Sequence, residues 1–61
     1  MSTNYSDADL EAMDDATLLR KSDQAWDMAG LARQDGDMAD AERQTKFAQR
    51  CDAERHRRAM S

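Results

Sequence analysis

The chain contains no valine, no isoleucine and no proline, and threonine is its only β-branched residue. Strands draw on β-branched side chains that pack well on a pleated surface, whereas proline is the residue that most reliably breaks a helix. A sequence with threonine as its only β-branched residue and no proline, in which alanine is the commonest residue, is constrained to be all-α.

Size limits what such helices can bury. The 61 residues are expected to form a single small helical domain over positions 1–61, and a chain of this length buries only roughly 60% of the surface its unfolded form exposes. The large apolar residues are few: Leu10, Met13, Leu18, Leu19, Trp26, Met28, Leu31, Met38 and Phe47, with Tyr5, Cys51 and Met60 in addition. A core this thin gains from a partner or a second copy, and a homodimer is one such assembly. The lone cysteine cannot form an internal disulfide, and no apolar run is long enough for a signal peptide or a membrane span, so a cytoplasmic setting is expected.

Capping chemistry sets the helix boundaries. Ser6 precedes Asp7, Ala8 and Asp9, which predicts an N-cap with a capping box, stapled by Tyr5 and Leu10. The same grammar recurs with Asp14 as N-cap and Met13 stapled to Leu18. A short helix over about 7–13 should therefore turn into a second over about 15–34, with residues 1–5 a flexible lead-in. Asp35-Gly36-Asp37 ends the second helix, Gly36 taking the left-handed C′ conformation and Asp37 capping a third helix over about 38–59. So short a link makes the second and third helices an antiparallel hairpin.

Reflecting the chain about Gly36 and Asp37 pairs Ala32 with Ala41, Met28 with Thr45, Ala25 with Ala48, Ser22 with Cys51 and Leu18 with Arg55. Small residues line this seam, which leaves Leu19, Trp26, Leu31 and Phe47 to pack along its edges or against the first helix. Both glycines are accounted for by a helix end or by close helix packing. Beyond Cys51 the third helix offers nothing apolar larger than alanine until Met60, so its last turns should be mostly solvated.

No residue pattern points to catalysis, a cofactor or a metal. Cys51 and His56 lie five apart on one helix and diverge, while Asp52 and His56, four apart, read as a surface pair. Asp35, Asp37, Asp40 and Glu42 match a calcium loop only in charge. Cys51 has no histidine on its own face to activate it, Ser22 is a small seam residue, and no glycine-rich phosphate loop is present.

Charge distribution is more informative. Residues 1–42 carry eleven acids and three bases, and residues 43–61 six bases and two acids, so the net charge of −4 is the sum of −8 and +4. Helix termini account for part of this asymmetry, and Glu42 with Lys46 and Glu54 with Arg58 are well-oriented i,i+4 pairs. Arg43, Arg50 and Arg57 recur every seven residues with Lys46 beside them, forming a basic stripe on the third helix that Arg55 and Arg58 extend. An acidic protein surface complements such a stripe better than nucleic acid does, given the net negative charge. Trp26 is the second candidate. Burial is the usual fate of a lone tryptophan, but an exposed Trp26 rimmed by Asp23 and Asp27 is a hot-spot anchor for a basic partner.

The sequence thus leads to a non-enzymatic helical protein-interaction module, with a nucleic-acid-associated factor using the third-helix stripe as the alternative. Arginine outnumbers lysine seven to two in a chain rich in alanine and aspartate, a bias typical of high-GC bacterial and bacteriophage genomes. A phage or mobile-element accessory protein that binds and modulates a host protein fits that composition.

Overall fold

The computed structural model describes residues 5–60, which form three helices and, among the described residues, no strand. They are α1 (Asp7–Ala12), α2 (Asp15–Gln34) and α3 (Met38–Met60), with α2 and α3 packed along each other as an antiparallel hairpin.

Each boundary has a polar cause. The Ser6 hydroxyl accepts from the Asp9 amide at 3.2 Å while the Asp9 carboxylate accepts from the Ser6 amide at 2.9 Å, a complete capping box. Asp14 caps α2 by accepting from the Thr17 amide at 2.8 Å, and Asp37 caps α3 by accepting from the Asp40 amide at 3.1 Å. At the end of α2 the Asp37 amide donates to the Ala32 carbonyl at 2.8 Å and the Gly36 amide to the Arg33 carbonyl at 3.1 Å, the pair of bonds that defines a Schellman motif. Gly36 has φ +82°. Among the described residues no neighbour would meet a Cβ there, so the cost of a side chain at this turn is backbone strain. Gly36→Val is expected to lose about 1–3 kcal/mol, read as a lower thermal midpoint, and an unchanged midpoint would show that the hairpin does not depend on the turn.

The buried stripe of α2 runs Leu18, Ser22, Ala25, Ala29, Ala32, and faces Ala41, Ala48 and Cys51 of α3. The small-residue seam is therefore present, with both members of the Ala32/Ala41, Ala25/Ala48 and Ser22/Cys51 layers buried, while the Met28 and Leu18 layers depart from the reflection. Steps of four and three keep Ala29 on the stripe, and Met28, one residue back and about 100° round the helix, lies 42% exposed. Ser22 is buried on the seam and its hydroxyl donates to Asp52, while Leu18, expected opposite Arg55, joins Leu10 and Cys51 in an apolar cluster against which Tyr5, Met13 and Phe47 pack. Gly30 is exposed and plays no part in the packing of the two helices.

The edges are also occupied differently. Phe47 stacks on Tyr5 with ring centroids 5.4 Å apart. Leu19, Trp26 and Leu31 remain exposed, because α1 has six residues and buries only Leu10. Of the lead-in expected to be flexible, residues 1–4 lie outside the described residues, while Tyr5 is packed, with Lys21 Nζ 5.1 Å from its ring centroid.

The last turns of α3 are not simply solvated. Arg58 donates to Glu54 at 2.8 Å, to Asp15 at 2.9 Å, and to the Leu10 and Glu11 carbonyls at 3.1 and 3.0 Å, so one guanidinium joins α3 to the end of α1 and the start of α2.

Candidate interaction surface

One residue on from the buried stripe of α2 runs a second stripe, Leu19, Asp23, Trp26, Gly30 and Arg33, which lines one edge of the hairpin. Trp26 is 40% exposed and Leu19 43% exposed. The indole is nonetheless held: Trp26 Nε1 donates to Asp52 Oδ2 at 3.3 Å, and Asp52 Oδ1 accepts from the nearly buried Ser22 hydroxyl at 2.6 Å. Asp52 thereby links α3 to α2 and fixes the direction of an exposed aromatic ring. Farther along, Arg33 Nη2 donates to Thr45 Oγ1 at 3.3 Å. Asp52 turns toward Trp26, so it does not form the surface pair with His56 that their spacing suggested.

Asp23 and Asp27 are exposed, and among the described residues neither has a hydrogen bond or ion pair. The basic stripe presents the opposite situation. Arg43 pairs with Asp40 at 3.6 Å, Lys46 with Glu42 at 3.2 Å, Arg50 with Asp7 at 3.0 Å, and Arg57 with Glu54 at 2.8 Å. Arg50, which has no acid a turn before it on its own helix, finds one on α1. These are exposed pairs of small individual worth, yet they leave Arg43, Lys46, Arg50 and Arg57 each with an acid already beside it.

Between α1 and α3 lies an open groove of about 310 Å³, lined by Asp7, Leu10, Glu11, Arg50, Ala53, Glu54 and Arg57. Most of its charged groups are engaged with one another. On the other edge of the hairpin, Met28 and Leu31 are exposed without a polar group to orient them. Among the described residues no group of three or more His, Cys, Asp or Glu side chains is placed to hold a metal ion, and no helix is long and apolar enough to cross a membrane.

The titrating groups that depart from ordinary values serve the fold. Burial pushes the Cys51 thiol up, and the neighbouring Asp52 charge adds to it. Hydrogen bonds from Arg57 and Arg58 hold Glu54 below the usual carboxylate range, and those from Thr17 do the same for Asp14. A carboxylate whose folded pKa is depressed stabilises the fold fully above its unfolded pKa, and that contribution disappears as pH falls through the folded value. Thermal melts should therefore show stability declining below about pH 4.5, with the acid limb shallower in Glu54→Gln. Identical acid limbs would remove Glu54 from the account.

Sequence reasoning did not find Asp52 as the partner of Trp26, nor Arg58 as the tie between helices. The only local signal was that 22, 26 and 52 fall on facing edges once a hairpin register is assumed. Comparison with protein-family models, with curated proteins and with solved structures returns no match to this chain.

Proposed function

We propose that this chain is a non-enzymatic helical protein–protein interaction module that binds its partner through the edge carrying Leu19, Asp23 and Trp26, with Asp27 farther round α2 on the side of Asp23. The observation that carries the reading is the exposed indole of Trp26, held in one direction by Asp52 and flanked by unpaired acids. Oriented aromatic side chains are enriched among residues that dominate binding energies, because little rotamer freedom is lost when they are covered. The basic stripe is the weaker candidate, since Arg43, Lys46, Arg50 and Arg57 each have an acid beside them. The same pairing weakens the reading of a nucleic-acid-associated factor, for which phosphates must displace those acids. Composition supports the narrower proposal of a phage or mobile-element accessory protein acting on a host protein in the cytoplasm.

The test is a comparative capture from the native host with the parent, Trp26→Ala, and the triple variant Arg43→Glu, Arg50→Glu, Arg57→Glu, each checked for helicity by circular dichroism. A discrete host protein should be retained by the parent and the triple variant, and its affinity for Trp26→Ala should fall roughly 30-fold, as for a hot-spot truncation. Loss in the triple variant with retention in Trp26→Ala would move the site to α3. Retention of nucleic acid instead, weakening steeply with salt, would replace the reading altogether.

A further inference from the structure

We infer that the occupant of the Trp26 edge is a basic amphipathic helix of another protein, seating apolar side chains on Leu19 and Trp26 and a guanidinium or ammonium group beside the indole, between Asp23 and Asp27. This inference rests on the interaction reading above and adds the chemistry of the partner.

Three observations point to it. Asp23 and Asp27 stand four residues apart, adjacent on the helix surface, and among the described residues no cation reaches either. Arg20 lies three residues before Asp23 but makes no ion pair with it. Two neighbouring carboxylates repel, a cation placed between them relieves the repulsion, and the face of an indole is the best aromatic surface for a cation.

Spacing supplies the second observation. Leu19 and Trp26 are two helical turns apart, about 10.5 Å along the axis, which matches apolar anchors seven residues apart on a partner helix laid against α2.

The third is Gly30, four residues beyond Trp26 on the same stripe. It sits in the interior of α2, where glycine is unfavourable relative to alanine, and among the described residues no atom would meet a Cβ at this position. Among the described residues nothing requires its lack of a side chain. The bare backbone leaves room for a partner helix to approach this edge closely.

A second copy is a poorer occupant. A two-fold pairing that lays Leu19 of one copy on Trp26 of the other is centred between residues 22 and 23. It would bring the two Asp23 carboxylates together at the axis. Acids on this edge likewise repel nucleic acid and anionic lipid.

Trp26 is the only tryptophan, so its own fluorescence reports occupancy of this edge. The probes are two designed helical peptides without aromatic residues, identical in a leucine stripe of seven-residue spacing, one with arginines flanking the stripe and the other with glutamates. The arginine peptide should bind on the order of tenfold tighter at low salt, with the difference shrinking as salt is added. Asp23→Asn with Asp27→Asn should abolish the difference. Gly30→Gln should weaken the arginine peptide on the order of tenfold while leaving helicity intact. Equal binding of the two peptides would overturn the basic partner but leave an apolar interaction edge. Concentration-dependent dimerisation that covers Trp26 would make the second copy the occupant and overturn the inference. If neither peptide binds, the inference falls. The interaction reading then stands only if host capture is lost in Trp26→Ala, and otherwise falls with it.

Discussion

Replacing Leu18 with alanine is expected to remove most of the stability of this protein. Leu18 is fully buried, and with Cys51 it is the largest side chain so enclosed among the described residues. It lies where α1, α2 and α3 meet, packed with Leu10 and Cys51 and backed by Tyr5, Met13 and Phe47. Truncating a leucine in such a place costs about 2–5 kcal/mol, the larger values applying where the walls cannot collapse into the space. A domain of this size has about 3–9 kcal/mol in all, at the usual stability per residue. Denaturant titration should therefore place Leu18→Ala near or beyond its midpoint under conditions where the parent is folded. Leu19→Ala is the matched control, because Leu19 is next in sequence, the same residue type, and 43% exposed. Equal losses for both would mean that the buried face of α2 has been assigned one residue out of register.

The opposite change at Ala48 should be nearly as damaging. Ala48 is fully buried against the alanine stripe of α2. The closeness of the two backbones along this seam depends on each side offering little beyond a methyl group. A leucine at position 48 has to push the helices apart or adopt a strained rotamer, costing about 1–3 kcal/mol. For a domain this small, that corresponds to a fall of about 4–24 °C in the melting temperature. Ala25→Leu should behave alike from the other side of the seam, whereas Ala39→Leu, on the exposed face of α3, should leave the melt unchanged. A parent-like melt for Ala48→Leu would refute the close approach of the two helices.

Much of this architecture was legible in the sequence because its determinants are local. Ser6 with Asp9, Asp14 with Thr17, and Gly36 before Asp37 are contacts between residues a few positions apart, and each helix begins and ends within a residue of where that chemistry places it. The seam was legible in kind, but not in every layer. Reflection about a turn treats a helix as having whole-number periodicity, and the error of one position at Met28 and Ala29 decides whether a methionine is covered. The surface was harder. Whether Trp26 is covered depends on the reach of α1, and the partner of Arg50 is Asp7, far away in sequence. Capping and spacing carry no information about either. The seven-residue recurrence of arginine gives a bare basic face on α3 alone, and the acid that pairs with Arg50 comes from α1.

The clasp formed by Arg58 bears on how the chain acquires its shape during synthesis. Asp7 with Arg50 and Asp15 with Arg58 are each separated by 43 residues. At ordinary translation speeds of about 5–20 residues per second, each aspartate is made roughly 2–9 s before its arginine. Helical hairpins of low contact order close in microseconds to milliseconds, so the ribosome, not the folding barrier, sets the interval. During that wait α1 has no third helix to rest on, and its apolar Leu10 is carried by a segment dense in aspartate. The carboxylates of Asp7 and Asp15 then lack the guanidinium partners they have in the fold, and an unpaired acidic segment repels other acidic surfaces.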